Sequence, residues 1–79
     1  MTSREIKKAI EDNMLDIVSE GEFIDVERME KVLQDNAGMH KVRCLGASVG
    51  DNKVVMLFGF AQFLITLKVG NGERTVSVV

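Results

Sequence analysis

Residues 54–67 read VVMLFGFAQFLITL, and the way this run is divided decides the fold. It has 14 residues, interrupted only by Gln62 and Thr66, and is too short for a helix that crosses a membrane. It also fails as one continuous strand, because its apolar phase breaks. Val54, Met56 and Phe58 are even-numbered, whereas Ala61, Phe63, Ile65 and Leu67 are odd. Side chains alternate faces along a strand, so this switch demands a turn or bulge between the two sets. A two-residue turn at Gly59-Phe60, glycine first, supplies it. Phe58 then opposes Ala61, Met56 opposes Phe63, and Val54 opposes Ile65. Val54, Met56, Phe58, Ala61, Phe63 and Ile65 then share one face.

Two neighbouring turns extend the pattern. Asn71-Gly72 is a strong hairpin signal, because both central residues of a type I′ turn need positive φ. It sets Leu67 opposite Val76, Ile65 opposite Val78, Thr66 opposite Ser77 and Lys68 opposite Thr75. Apolar meets apolar and polar meets polar, as a half-buried sheet requires. Asp51-Asn52 closes another hairpin, with Val49 opposite Val54, Ala47 opposite Met56 and Leu45 opposite Phe58. The reading is a four-stranded antiparallel meander, with strands at about 41–50, 53–58, 61–70 and 73–79.

The first half carries helical signals. Thr2 and Glu5 fit a capping box, and Ile6, Ala9, Ile10, Met14, Ile17 and Val18 recur at helical spacing. Gly21 suits the left-handed position after a helix at about 3–19. Asp25 is an N-cap for a second helix at about 26–37, with Ile24 and Met29 as a hydrophobic staple and Gly38 as its end. Val26, Met29, Val32 and Leu33 form its apolar face. The expected fold is α+β, ααββββ in chain order: one domain over 1–79, with an N-terminal helical hairpin on one face of the meander.

The 79 residues include 46% hydrophobic and 28% charged side chains, with net charge −2. These values fit a globular domain and exclude a disordered tail, a two-domain enzyme and a strongly basic nucleic-acid binder. A chain of this size hides only about 60% of the surface it exposes when unfolded. Small domains commonly add disulfides, a metal or a partner. Cys44 is the single cysteine and His40 the single histidine, so no disulfide or structural zinc is expected. Self-association or a partner protein is the remaining supplement. The free thiol fits a reducing compartment, and the N-terminus lacks the apolar core of a signal peptide, so a cytoplasmic protein without a membrane partner is expected.

The expected outer sheet face holds Val42, Cys44, Val55, Leu57 and Leu64 as an apolar patch, with Val55 opposite Leu64 and Leu57 opposite Gln62. The fourth strand, ending at Val79, is read as an unprotected edge that could pair across a two-fold axis. Lys41 and Arg43 are read as guards of the first strand. Phe60 is expected at a turn tip, tucked back over the sheet end or exposed for contact. Residues 1–40 hold 5 basic and 10 acidic side chains, and residues 41–79 hold 5 basic and 2 acidic ones. Asp12, Asp16 and Glu20 fall at i, i+4 spacing and are read as one acidic helix stripe.

No catalytic constellation stands out. His40 and Cys44 lack the third group and oxyanion site that a nucleophile pair needs, and Cys44 is expected to be half-buried. Gly70-Asn71-Gly72 is better read as a turn than as a phosphate loop. The second helix sets Glu27, Glu30 and Asp35 against Arg28 and Lys31, which suits phosphate contact poorly. No cofactor, metal or small-molecule substrate is expected, and nucleic acid is a weaker reading through the modestly basic sheet side. The expected function is a non-catalytic protein-interaction module, self-associating as a homodimer and acting by occupying a partner protein. The alternative is an inhibitor of the kind phages and mobile elements encode, whose acidic helices cover a basic nucleic-acid-binding surface.

Overall fold

A computed structural model describes residues 2–19 and 23–79. Its elements are α1 (Ser3–Asp12), α2 (Met14–Ile17), α3 (Val26–Ala37), β1 (Val42–Gly50), β2 (Lys53–Phe60), β3 (Phe63–Gly70) and β4 (Glu73–Val78). The strands form one antiparallel sheet in the order β1-β2-β3-β4, with the helices at its N-terminal side in sequence and against it in space. This is the expected α+β meander.

The helix starts follow the local signals. The Thr2 hydroxyl accepts from Glu5 N–H at 3.2 Å, and Glu5 Oε1 accepts from Thr2 N–H at 3.2 Å. Asp25 caps α3 by accepting from Arg28 N–H at 3.0 Å. Gly38 ends it at φ +91. The single helix expected at 3–19 is divided at Asn13. Its side-chain amide donates to the Ala9 carbonyl at 2.8 Å, so a local bond competes with continued helix. Val18 is already extended and forms an isolated bridge with Ile24, which fastens the connection between helices. Gly21 lies outside the described residues. The apolar stripe survives the break: Ile6, Ala9, Ile10, Ile17 and Val18 are buried, and Met14 is half-buried.

The sheet corrects one turn. β2 and β3 pair Phe60 with Phe63, Phe58 with Ile65, Met56 with Leu67 and Val54 with Val69. The loop is therefore Ala61-Gln62, not Gly59-Phe60. The parity argument cannot separate these registers, because a shift of two positions along each strand keeps the same residues on the same face. Burial and pairing decide. The expected register would set Phe60 in a loop and leave residues 67–70 without partners on β2. The observed one buries Phe60 completely and pairs both strands to their ends. Ala61 accepts φ +52 as the local cost. The other two turns stand as read, with Asp51, Asn52, Asn71 and Gly72 all at positive φ.

The second correction lies in β1. Val49 opposes Val54 and Ala47 opposes Met56 as expected, but a bulge at Leu45 shifts the register. Cys44, not Leu45, opposes Phe58, and Val42 opposes Phe60. Both residues therefore sit on the helix side of the sheet, not on the outer face. The reason is packing: the bulge brings Val42 over the core, where it is half-buried against it.

The core lies between the helices and the inner sheet face. Ile6, Ile10, Ile17, Met29, Leu33, Phe58, Phe60, Ile65 and Leu67 are completely or almost completely buried. Cover is uneven. α1 packs on α3 and β4, whereas α3 reaches β1 only weakly.

Candidate interaction surface

β1 is an edge strand, and its hydrogen-bonding direction can be traced from the opposite side of the sheet. Leu64 and Val79 exchange both backbone hydrogen bonds, at 2.9 and 3.0 Å. Such pairs alternate along an antiparallel ladder. Followed across the registers, this alternation makes Gly50, Ser48, Gly46 and Arg43 the residues that bond β2. Val42, Cys44, Ala47 and Val49 turn their backbone groups away from the sheet. Val42 agrees independently, since its N–H donates to Glu30 Oε2 of α3 at 2.7 Å.

That contact closes one end of the edge. The Val42 N–H, the largest influence, holds the Glu30 carboxyl below the ordinary glutamate range; Lys41, at 3.5 Å, adds to this and partial desolvation opposes it. Gln34 Nε2 donates to the His40 carbonyl at 2.8 Å, and the His40 ring stands edge-on to Phe60 with centroids 5.6 Å apart. The junction is thus strapped to α3 as far as Val42.

Beyond Val42 the strand lies open. Every residue from Arg43 to Gly50 is exposed, with Leu45 at 51% and Val49 at 78%. Cys44 is exposed, not half-buried, because the helices do not extend over it. Val54 and Met56 continue this apolar strip and are half-buried. The run Cys44–Gly50 carries no charged side chain. Lys41 and Arg43 do not guard it as expected. Lys41 pairs with Glu30, and a Cβ on Gly59 would stand only 3.0 Å from Arg43 Nη2, so the guanidinium lies over Gly59.

The other expected contact residues are dispersed. Phe60 is a core residue and unavailable for contact. Val55, Leu57, Leu64 and Val79 do share the outer face, but Val55 opposes Lys68 and Leu57 opposes Thr66. Leu64 instead lies between Gly59 and Val79. The acidic stripe is interrupted at Asn13. Asp12 pairs with Lys8 at 3.2 Å and Asp16 with Arg28 at 3.4 Å, while Glu20 lies outside the described residues. Ala47 and Val49 lie on the helix side opposite Met56 and Val54, as expected, but no helix covers them. The change of phase from Val42, even, to Ala47 and Val49, odd, marks the bulge and not the exposure.

Among the described residues there is no ligand-sized cavity and no group of three or more His, Cys, Asp or Glu side chains placed to hold a metal. No helix among them is long and apolar enough to cross a membrane. The chain matches no family model, no curated protein and no solved structure.

Proposed function

We propose that this chain is a non-catalytic protein-interaction module that occupies a partner protein through the open edge of β1. An extended segment adds there as a fifth strand. Main-chain hydrogen bonds supply affinity, and side chains on the helix side meet the apolar strip beneath. The observation that carries this reading is the uncharged run Cys44–Gly50, in which Cys44, Ala47 and Val49 turn their backbone groups outward beyond the point where Glu30 closes the edge. Natural edge strands are usually shortened, charged or covered, and this one is none of these past Arg43.

Ala47→Pro tests the reading. Ala47 turns its N–H outward, so proline removes a donor needed only by an added strand. The immobilised chain, exposed to an extract of the cells that make it, should retain a partner that Ala47→Pro loses. Equal retention by both proteins overturns the edge reading.

A further inference from the structure

Resting on that edge reading, we infer that Glu30 regulates the length of the edge: its carboxylate stands where the carbonyl of an added strand would accept the Val42 N–H, and so sets where such a strand must end. The bond is made by Oε2 at 2.7 Å. An N–H that turns away from its own sheet is the donor through which a further strand attaches. At Val42 a side chain of α3 already takes that donor.

The bulge at Leu45 gives this contact its weight. It splits the outward-turned positions of β1 into Ala47 and Val49 on one side and Val42 and Cys44 on the other. With Val42 filled, Cys44 alone remains on its side. A strand added at neutral pH therefore pairs along Val49 and Ala47 and reaches no further than Cys44. With Val42 freed, each side of the bulge offers two positions.

The contact is placed to hold and to release. Only 23% of the Glu30 side chain is exposed, so the carboxylate is aimed at its donor. A carboxylate accepts more strongly than the main-chain carbonyl that would replace it. Among the described residues, Lys41, 3.5 Å from Oε1, is the charged group that acts on it. Gln34 holds the His40 carbonyl separately, so loss of the Glu30 bond frees Val42 without unfastening the whole junction. Protonation makes the carboxyl a weaker acceptor and ends its attraction to Lys41. The Val42 N–H, first, and then Lys41 favour the charged form against partial desolvation, so the bond persists below the ordinary glutamate range. It loosens as pH falls through the lowered value. The edge is short at neutral pH and lengthens in acid.

Amide hydrogen exchange of the full chain, followed residue by residue by NMR from neutral to acid pH, is the test. In the natural sequence Val42 should be protected, while Cys44, Ala47 and Val49 exchange freely. Glu30→Ala should lower the protection of Val42 by about tenfold or more, as loss of a hydrogen bond to a charged group does, and leave Ser48 unchanged. Glu30→Gln, whose amide oxygen still accepts, should keep part of that protection. The Val42 amide resonance should also shift as the natural carboxyl titrates and stay flat in Glu30→Gln, which covers a failure of Glu30→Ala to fold. A Val42 amide that stays protected in a folded Glu30→Ala chain, or a resonance flat through acid in the natural sequence, overturns the inference and leaves the edge reading in place. Ala47 and Val49 amides as protected as Ser48 overturn the edge itself and the inference with it, so the two failures are read at different residues.

Discussion

Two glycines near the same turn separate conformational need from space. Gly70 has φ +140, and a Cβ there would overlap the Asn52 carbonyl oxygen and stand 2.7 Å from Lys53 Cα. Both are backbone atoms that cannot step aside without disturbing the β2–β3 ladder. Gly72 has φ +76 with open space around it. Gly70→Ala should cost about 3 kcal/mol, as overpacking against rigid atoms does. Gly72→Ala should cost about 1 kcal/mol, from the left-handed backbone alone. Urea denaturation of the two variants checks the contrast. Glu30 and Glu73 supply a pH prediction. Glu73 is held low chiefly by its hydrogen bond from Lys53 at 2.6 Å, as Glu30 is by Val42. In each case the folded state prefers the carboxylate more than the unfolded state does. Their stabilisation is complete at neutral pH and is lost as pH falls from the ordinary glutamate range through the lower folded-state value. Glu30→Gln should flatten this acid limb in thermal melts without altering the melt above neutrality by a comparable amount.

At the scale of elements, β1 has two edges with different duties. Ser48 belongs to the set that bonds β2, whereas its neighbour Ala47 faces outward. Ser48→Pro should therefore lose a ladder bond and cost about 3 kcal/mol, while Ala47→Pro should change stability by less than about 1 kcal/mol. Chemical denaturation distinguishes them, and equal costs would mean that the bonding phase of β1 is misassigned. α1 and α2 show a related competition. Asn13 ends α1 through its bond to Ala9, and the chain then turns within one short helix before the Val18–Ile24 bridge. The buried stripe needs helical spacing only as far as Ile17, after which tertiary contacts take over.

For the whole molecule, burial is concentrated where the helices meet β2, β3 and β4, and it thins toward β1. Leu67→Ala, at the fully buried centre of β3, should cost about 2–5 kcal/mol. If the chain associates with itself, the melting temperature should rise with protein concentration, because association stabilises only the folded chain. If that association uses the β1 edge, the rise should vanish in Ala47→Pro. Calorimetry at several concentrations reads both effects, and a concentration-independent melt for the natural sequence would count against association.

Local chemistry along the chain was enough for the caps at Thr2 and Asp25, the turns at Asp51-Asn52 and Asn71-Gly72, and the apolar faces of α1, α3, β2, β3 and β4. The sequence also determined that residues 54–67 must turn back on themselves. It did not determine where, because parity is blind to a register shift of two residues on each strand, and glycine at position 59 was a false lead. Packing decided that point by burying Phe60 and pairing both strands fully, even with Ala61 at positive φ. The bulge at Leu45 was legible as a second phase break, yet its consequence required the tertiary arrangement. Only the placement of α1 along β4, with α3 fastened at Val42, leaves Cys44–Gly50 uncovered. Local sequence specifies which face of a strand is apolar; how far two short helices reach across a sheet is a property of the assembled core.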